Sequence, residues 1–297
     1  MRYLALATDY DGTLAHHGEV APEIVDALRR LKASGRRLIL VTGRELDDLF
    51  DVFPDVDVFD RVVAENGALV YDPTTKDTRL LADGPPSGFA EELEKRGVGP
   101  ISVGNVIVAT WEPHETTVLE TIREMGLELQ VIFNKGAVMV LPSGINKATG
   151  LHDVLRELGL SPHNVVGVGD AENDHAFLDL CECSVAVANA LPSLQERCDH
   201  VTDGRHGDGV LELVEGLLED DLARIPPRRH RVPIGSVDGR DVWIEPYGSH
   251  VLVAGPSGSG KSSLTTTFLE RLVDAGYQFC LVDPEGDYQE LSGAIVL

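Results

Sequence analysis

Two carboxylates stand two positions apart near the start of the chain, in the run Asp9-Tyr10-Asp11-Gly12. One carboxylate can attack phosphorus to give an aspartyl-phosphate, and a neighbouring acid can protonate the leaving oxygen and later activate water. Gly12 lets the chain turn tightly enough to expose both side chains. The turn therefore predicts phosphoryl-transfer chemistry, with Asp9 and Asp11 as the candidate reacting groups.

This chemistry needs a cation, because unshielded carboxylates repel an anionic phosphate ester. Further acids stand at Asp170 and Asp174, in the run GDAEND. Carboxylate oxygens are hard ligands of the kind that Mg²⁺ prefers, and the metal neutralises both the acids and the phosphate. We therefore expect a Mg²⁺ cofactor held in part by Asp170 and Asp174.

A second phosphate-binding pattern lies near the other end of the chain. Residues 255–262 read GPSGSGKS, which matches GxxxxGK[ST] between an apolar run at 250–254 and a helical stretch at 262–275. In this pattern the backbone N–H groups wrap phosphates at a helix N-terminus, while the lysine meets the β and γ phosphates and the serine meets Mg²⁺. The pattern predicts a nucleotide site that could take ATP, formed by Gly255, Gly258, Gly260, Lys261 and Ser262.

The elements around the acidic turns alternate between strand and helix. Apolar runs at 3–8, 37–42, 61–64 and 164–168 are predicted strands, and the stretch 22–34 carries apolar residues at spacings of three and four, typical of a helix that packs on a sheet. In open parallel sheets, ligands bind outside the carboxyl ends of the strands, which is where the acidic turns stand. The predicted fold class is α/β, with a Rossmann-like parallel sheet core.

The pattern changes between residues 82 and 141, where no acidic turn occurs. Helices are expected over 88–96 and 115–125, and strands over 101–110, 127–133 and 136–141, which we interpret as an inserted small α/β cap. We expect the core at 1–81 and 142–221, the cap at 82–141, a linker with a basic cluster at 222–232, and a partial P-loop α/β segment at 233–297.

Composition and charge narrow the function classes. The formal net charge of −24 disfavours nucleic-acid binding by this chain alone, because an excess of carboxylates repels phosphate backbones. No apolar run approaches the roughly 20 residues that span a bilayer, so we expect no membrane partner and a cytoplasmic location. The four cysteines lack CxxC spacing, which favours reduced thiols. None of these observations indicates an oligomeric state.

Four motifs in this order resemble the haloacid dehalogenase superfamily of phosphatases: DYDGTL at 9–14, VTGR at 41–44, Lys147 before an amphipathic helix, and GDAEND at 169–174. The resemblance covers about residues 1–221. The run ENGA at 65–68, the position of the insertion and the run ANA at 188–190 point to the Cof-like, sucrose-phosphatase-like and phosphoglycolate-phosphatase-like subgroup. The short cap looks more like the phosphoglycolate-phosphatase-like arrangement.

The resemblance implies a role for each matching position. Asp9 would be the nucleophile and a Mg²⁺ ligand, and Asp11 would be the acid/base that also offers its backbone carbonyl to the metal. Thr42 would hydrogen-bond the transferring phosphoryl group, and Lys147 would balance charge on it and on Asp9. The predicted metal site comprises Asp9, Asp11 and Asp170, with Asn173 and Asp174 in or near the coordination shell.

Some neighbouring side chains keep two interpretations. Arg44 could contact substrate or close a salt bridge, and His16 and His17 could meet substrate or be solvated. In the subgroup that the sequence resembles, the cap covers the site and selects the leaving group. Trp111, Glu112 and His114 lie on the predicted cap and are candidates for this selection. That choice cannot be derived from these residue types.

A predicted strand at 277–282 ends in the run DPEGDY at 283–288, and together with the stretch from residue 250 it resembles the start of HerA/FtsK-like ATPases. In those motors a later strand carries the Walker B acid, and we expect this sequence to be truncated or part of a longer fusion. The leading hypothesis is a Mg²⁺-dependent phosphatase acting on a small phosphorylated metabolite such as phosphoglycolate or a sugar phosphate. The alternatives are a regulatory or sensing domain of such an ATPase, and a bifunctional enzyme in which the nucleotide gates the phosphatase.

Overall fold

The computed structural model describes residues 1–227, 231–244, 246, 250–277, 279–284, 286, 288 and 291. The chain forms two compact units, Tyr3–Pro226 and Pro227–Leu297. Most of the basic cluster of the expected linker, at 228–230, and residues 285 and 287 of the DPEGDY run lie outside the described residues. Within the described residues, no helix is both long enough and apolar enough to span a membrane.

Strands and helices alternate through much of the first unit, as the sequence predicts. The strands are β1 Ala5–Thr8, β2 Arg37–Val41, β3 Arg61–Ala64, β4 Leu69–Tyr71, β5 Thr78–Leu80, β6 Ser102–Val103, β7 Val108–Trp111, β8 Leu129–Asn134, β9 Ala137–Pro142, β10 Val165–Gly169, β11 Cys183–Ala186, β12 His200–Val201, β13 Val232–Val237 and β14 Arg240–Ile244. The α-helices are α1 Pro22–Ala33, α2 Leu46–Val52, α3 Gly88–Lys95, α4 Glu115–Glu124, α5 Lys147–Leu158, α6 His175–Leu180, α7 Pro192–Gln195, α8 Gly207–Glu219 and α9 Lys261–Asp274.

A mixed sheet with a parallel core occupies the centre of the first unit. Its strand order is β12-β11-β10-β1-β2-β3-β4-β5, and the pairs from β12 to β3 are parallel. The pairs β3–β4 and β4–β5 are antiparallel. This edge was not expected from the sequence, and it forms because only the short turn at 65–68 joins β3 to β4, too little chain for a parallel crossover. The α/β class with a parallel core is confirmed.

Helix α1 packs on this sheet through the face that its periodicity predicts. Ile24, Ala27, Leu28 and Leu31 are all buried, and Pro22 stands in the first turn, where its missing N–H leaves no bond unmade. Burying a leucine or isoleucine side chain is worth about 1.5–3 kcal/mol. This face therefore holds the helix against β2 and α8.

The cap is a second, antiparallel sheet with the order β6-β7-β9-β8. Helices α3 and α4 cover one face, where Phe89 and Val118 pack with Val138. The opposite face brings Met139 into a cluster with Ala68 of the turn after β3. The cap therefore packs directly on the elements that follow the parallel strands.

The single strand expected over 101–110 is wrong, because the chain reverses at 104–107 and forms β6 and β7 instead. The N–H of Gly104 donates to the carbonyl of Ile107, which closes the turn. The N–H groups of Asn105, Val106 and Ile107 all donate to the carboxylate of Glu65. Three successive amides that point at one anion cannot continue a strand, whose N–H groups alternate in direction.

The second unit contains the hairpin β13–β14 and helix α9, which meet in a small cluster formed by Val232, Leu269, Leu272, Tyr277 and Leu291. The strand predicted over 277–282 is wrong for the described residues of that run, and the apolar run at 250–254 is not in a strand either. Leu252 is 89% exposed and Val282 is 85% exposed. An apolar run becomes a strand only where a neighbour pairs with its backbone, and in the described part of this unit the paired strands are β13 and β14.

Candidate active site

Loops from three adjacent parallel strands meet at one edge of the main sheet. β1 lies between β10 and β2, so Asp9 after β1, Thr42 after β2 and Asp170 after β10 are neighbours in space. Thr42 is fully buried there. Lys147 is the first residue of α5, and Asp174 ends the 3₁₀ turn Glu172–Asp174. The structure therefore brings the predicted residues to the edge where parallel sheets bind ligands.

The carboxylates of Asp9, Asp170 and Asp174 form a buried cluster, in which one oxygen of each lies within 4.8 Å of the others. The Nζ of Lys147 lies 2.5 Å from Asp9 Oδ1 and 2.6 Å from Asp174 Oδ1. Lys147 is only 1% exposed, so water screens these charges little. Three carboxylates around one buried ammonium keep an excess of negative charge, and their oxygens fit a hard divalent cation such as Mg²⁺.

Burial changes the protonation chemistry of this cluster. Burial, and then repulsion from Asp174, raises the pKa of Asp9 to about 7, although Lys147 lowers it. Burial also raises the pKa of Asp170. For Lys147 burial favours the neutral amine, but attraction to Asp174 and Asp9 outweighs it and the pKa is raised. Lys147 is therefore a permanent cation in the site, and Asp9 is a carboxyl that needs positive charge to stay ionised.

The first turn of α5 positions Lys147. The side chain of Asn146 accepts hydrogen bonds from the N–H groups of Ala148 and Thr149, and the hydroxyl of Thr149 accepts one from the N–H of Asn146. This reciprocal capping box satisfies N–H groups that a helix start leaves without partners. The sequence Asn-Lys-Ala-Thr thus fixes where the helix begins, and its first residue reaches Asp9.

Asp11 is held by Arg44 in a two-pronged salt bridge. Arg44 Nε lies 2.6 Å from Asp11 Oδ2, and Arg44 Nη2 lies 2.8 Å from Asp11 Oδ1. The third nitrogen, Nη1, reaches Asp48 at 2.5 Å. The hydrogen bond to Asp11 is the main reason why the pKa of Arg44 is raised. Of the two interpretations of Arg44, the structure presents the salt bridge.

The loop after β10 is organised by Asp174. Its Oδ2 accepts hydrogen bonds from the N–H groups of Asp170 and Ala171, at 2.8 and 2.9 Å, while its Oδ1 accepts from Lys147. The side-chain amide of Asn173 donates to Asn66 Oδ1 at 2.9 Å. Both Asp174 oxygens are engaged within the protein, so this residue holds Asp170 and Lys147 in place.

The turn Glu65–Gly67 contacts the loops that carry Thr42, Lys147 and Asn173, and the sequence indicated it only as a subgroup marker. Glu65 and Asn66 both have positive φ, at 48° and 55°, a conformation that non-glycine residues seldom adopt. The N–H of Glu65 donates to the carbonyl of Arg44, and the N–H of Asn66 donates to the carbonyl of Thr42. Gly67, with φ of 104°, packs so closely on Asn146 that a Cβ would overlap its carbonyl.

The Glu65 carboxylate ties this turn to the cap. It is fully buried and accepts four hydrogen bonds, three from the N–H groups of Asn105, Val106 and Ile107 and one from the side chain of Asn105, at 2.7–3.0 Å. An acid directly after a predicted strand was the available sequence signal. The turn therefore connects the cap with the loops that carry Thr42, Lys147 and Asn173.

We expect Glu65→Gln to loosen the cap. The glutamine amide nitrogen would face N–H donors, leaving buried groups unsatisfied at a cost of about 1–3 kcal/mol. Amide hydrogen exchange at 105–107 should accelerate and the KM for substrate should rise. Glu182→Gln is the matched control, since Glu182 is also buried but pairs with His163 at 2.6 Å. Unchanged exchange at 105–107 in Glu65→Gln would contradict this role.

Two further polar side chains that sequence reasoning missed reach the same loops. Lys135, at the turn between β8 and β9, places Nζ 2.6 Å from Asp170 Oδ2 and 3.0 Å from the carbonyl of Asp11. The side-chain amide of Asn189 donates to the carbonyl of Gly12 at 2.7 Å and to Asp170 Oδ2 at 3.3 Å. A lone lysine in a predicted cap hairpin, and an asparagine in the noted ANA run, were the signals for them.

The residues with two interpretations are also placed. The ring of His16 lies 4.1 Å from that of His17 and 4.4 Å from that of His206, measured between centroids. The Nδ1–H of His206 donates to the carbonyl of Gly12 at 2.8 Å, so these rings lie beside the acidic turn after β1. On the cap, Trp111 is about half exposed, and His114 Nε2 donates to the carbonyl of Gly99 at 3.2 Å.

The P-loop of the second unit begins helix α9 at Lys261. Gly258 and Gly260 both have positive φ, at 79° and 87°, and Ser262 follows Lys261 in the first turn. The Nζ of Lys261 donates to the carbonyl of Pro256 at 3.0 Å, so the lysine folds back over the loop that Gly255 opens. The predicted loop-to-helix geometry is present.

Comparison with known proteins identifies both parts of the chain. Residues 6–84 and 103–214 match the haloacid dehalogenase-like hydrolase family, and residues 233–295 match the central domain of the helicase HerA. The predicted resemblance to both families, and with it the fusion, is confirmed.

Similar sequences include phosphoglycolate phosphatases from archaea. The enzyme of Methanothermobacter thermautotrophicus is 31% identical over 72% of this chain and 98% of its own length. That of Haloarcula marismortui is 33% identical over 70% of this chain and 95% of its own length.

Solved structures share the fold at lower identity. Thermoplasma acidophilum 0175 superposes with a TM-score of 0.64 at 17% identity, over 73% of this chain and 99% of that one. A haloacid dehalogenase-like hydrolase from Bacteroides thetaiotaomicron superposes with a TM-score of 0.62 at 19% sequence identity, over 72% of this chain and 99% of that one. Together with the buried Asp9–Lys147–Asp174 arrangement, these matches show that the chain belongs to the haloacid dehalogenase-like hydrolases and is a phosphoric monoester hydrolase.

Proposed function

We propose that this chain is a Mg²⁺-dependent phosphatase that hydrolyses a small phosphorylated metabolite through an aspartyl-phosphate on Asp9. The observation that carries the proposal is the Lys147 ammonium shared by Asp9 and Asp174 within the buried carboxylate cluster. Phosphoglycolate is the first candidate substrate, because the printed names of the similar archaeal enzymes specify it. A sugar phosphate is the second candidate.

The residues of the chain perform the transfer as follows. Lys147 orients the Asp9 carboxylate, which attacks phosphorus while the bond to the leaving oxygen breaks. Asp11, once protonated, gives its proton to that oxygen, and it later takes one from the water that attacks the aspartyl-phosphate and releases phosphate from Asp9. Because Arg44 holds both oxygens of Asp11, at least one of these hydrogen bonds has to open for the proton to move. Thr42 hydrogen-bonds the transferring phosphoryl group.

Asp9, Asp170 and the carbonyl of Asp11 are the groups proposed to hold Mg²⁺, which supplies positive charge to the phosphoryl group and to the carboxylates. Asp174 belongs beside the coordination shell, because Lys147 and two backbone amides already engage its oxygens. The core at 1–81 and 142–221 then carries the chemistry, and the cap at 82–141 carries selection of the leaving group.

Phosphate release from phosphoglycolate, a sugar phosphate and a nucleotide, each with Mg²⁺ and with chelator, tests the proposal. We expect Mg²⁺-dependent release, fastest from phosphoglycolate. Turnover that persists in chelator would contradict the metal assignment, and no release from any ester would overturn the phosphatase proposal.

We expect the thermal stability in chelator to fall as pH rises from about 5 to about 8. Between the ordinary pKa of 3.8 and about 7, the folded protein keeps a proton on Asp9 that the unfolded chain has lost, so low pH favours the folded state. Over this pH range the raised pKa of Asp9 corresponds to at most about 3 kcal/mol, or roughly 8 °C in Tm. Mg²⁺ should raise Tm more at the higher pH, where it meets the ionised carboxylate.

Calorimetric melting of the full chain at both pH values measures this trend, and Asp9→Asn serves as the comparison because its side chain does not titrate. The slope of Tm against pH should be flatter in Asp9→Asn. Equal slopes in the two proteins would show that Asp9 is not the titrating group.

The P-loop at 255–262 is proposed as an ATP site of the segment 233–297. Lys261 would contact the β and γ phosphates, and Ser262 the Mg²⁺ of the nucleotide. The HerA match and the loop geometry support this ATP site. They are also compatible with the two alternatives, a sensing domain of an ATPase and a bifunctional enzyme in which the nucleotide controls the phosphatase. Phosphatase kinetics in millimolar ATP test the bifunctional alternative, because gating by the nucleotide requires a change in kcat or KM and an independent phosphatase requires none.

A further inference from the structure

Lys135 is a cap residue whose ammonium lies in the catalytic centre. It stands between β8 and β9, at the tip of the hairpin, with φ of 48°. Its N–H contacts Glu172 Oε2 at 3.3 Å, and its Nζ contacts Asp170 Oδ2 at 2.6 Å and the carbonyl of Asp11 at 3.0 Å. The side chain is 43% exposed, so it can change partners without crossing a packed core.

Each of the other two cations of the centre has one carboxylate partner that is neither a reacting group nor a proposed metal ligand, Asp174 for Lys147 and Asp48 for Arg44. Lys147 is buried between Asp9 and Asp174, and Arg44 is held by Asp11 and Asp48. Lys135 differs, because its partners are the same Asp170 carboxylate and Asp11 carbonyl that are proposed for Mg²⁺. When a dication takes these oxygens, the ammonium has to give them up, and it remains tethered to the cap beside the reacting groups.

A second anionic group on the substrate needs such a cation. The chain carries a formal charge of −24, and the site itself is rich in carboxylates, so a leaving group with its own negative charge is repelled unless a positive side chain meets it. The leaving group lies on the side of phosphorus opposite to Asp9, because attack and departure are in line. Met139 lies on the cap face that meets the core, but its side chain is apolar and cannot meet a negative charge.

We propose that Lys135 is the specificity residue of this site and binds a carboxylate on the leaving group of the substrate. The inference rests on the proposed phosphatase function and deepens it, because it names the residue that distinguishes a leaving group with a carboxylate from a neutral one. Lys135 exchanges the Asp170 carboxylate for the substrate carboxylate as Mg²⁺ binds.

The test compares Lys135→Met with the wild-type full chain in Mg²⁺ on two esters of similar size, phosphoglycolate and 2-hydroxyethyl phosphate, which lacks the carboxylate. We expect kcat/KM for phosphoglycolate to fall roughly 10- to 100-fold, as loss of a hydrogen bond to a charged group predicts, and that for 2-hydroxyethyl phosphate to change less than about threefold. Lys95→Met is the matched control, because Lys95 is the other cap lysine and is paired with Glu92 on α3. It should leave both rates unchanged.

A charge reversal and a binding measurement sharpen the result. Lys135→Glu should favour phosphoethanolamine, whose leaving group is cationic, over phosphoglycolate. Calorimetric titration with Mg²⁺ alone should show tighter binding by Lys135→Met than by the wild-type chain, since no ammonium has to be displaced. Equal Mg²⁺ affinity would overturn the exchange of partners.

The outcomes distinguish this inference from the function on which it rests. Equal losses on both esters in Lys135→Met would overturn the specificity role while the phosphatase stands. Absence of Asp9-dependent release from both esters in the wild-type chain would overturn the phosphatase proposal, and the inference with it.

Discussion

Replacement of Asp9 by asparagine is expected to reduce phosphate release by about 10⁴-fold or more, because removal of a nucleophile eliminates the covalent route. The change is nearly isosteric, and Asp9 lies within a cluster that also contains Asp170 and Asp174. Removing one of three buried carboxylates relieves their repulsion. The same variant should therefore be more stable than the wild-type chain in chelator at about pH 8.

This opposite movement of activity and stability is the signature to measure. Asp60→Asn is the control. Asp60 is also buried, but it directly precedes β3 at the end of the sheet away from the site, where it accepts hydrogen bonds from the backbone N–H of Leu38 and from the side chain of Arg37. It should lose stability and keep turnover. An Asp9→Asn protein that releases phosphate at the wild-type rate would contradict the assignment of the nucleophile.

Replacement of Lys147 by methionine is expected to destabilise the first unit by about 3–5 kcal/mol at about pH 8 in chelator, because two buried carboxylates lose their common partner. Asp9 and Asp174 would then face each other and Asp170 without the buried ammonium. The loss should be smaller at about pH 5, where protonation of a carboxyl relieves the repulsion. Turnover should disappear, since Asp9 is no longer oriented.

Urea unfolding of the full chain at both pH values measures the effect. Lys32→Met is the control, because Lys32 is partly exposed and donates to the carbonyls of Asp57 and Val58 on the surface. It should change stability by less than about 1 kcal/mol. A Lys147→Met protein with wild-type stability would show that the carboxylates do not depend on this ammonium.

The positions of the candidate site residues were predictable from sequence where each residue stands next to a strand or helix with a clear hydrophobic periodicity. Asp9, Thr42 and Asp170 come directly after buried strands, and parallel pairing puts the ends of neighbouring strands side by side. Lys147 follows Asn146, which caps the N-terminus of helix α5. These positions depend on local pattern and on a general rule of parallel sheets.

The antiparallel edge β4–β5 and the reversal at 104–107 were not predictable in the same way. Both depend on the turn Glu65–Gly67, which bends β3 back along β4 and whose Glu65 carboxylate captures three amides of the cap. Periodicity describes which face of an element is apolar, and it carries no information about an anion brought from forty positions away.

The second unit also shows which features local sequence can and cannot predict. The glycine-rich loop and the start of α9 are local features, and they form as the motif predicts. The runs at 250–254 and 277–282 have the apolar pattern of strands. A strand forms only where a neighbouring strand pairs with its backbone, and the described residues of these runs are not paired in this way. Hydrophobic pattern alone does not supply a pairing partner.

Sequence by itself determined the α/β class and both family resemblances and predicted the reacting residues, because acidic turns, strand periods and glycine-rich loops are encoded within a few neighbouring positions. Only the tertiary structure decided that Arg44 clamps Asp11, that Asp174 serves Lys147 and Asp170, and that Glu65 and Lys135 join the cap to the site. Each of these contacts pairs a charge with a group brought to it by the folded chain, and electrostatic attraction acts over distance in space, whatever the separation in sequence.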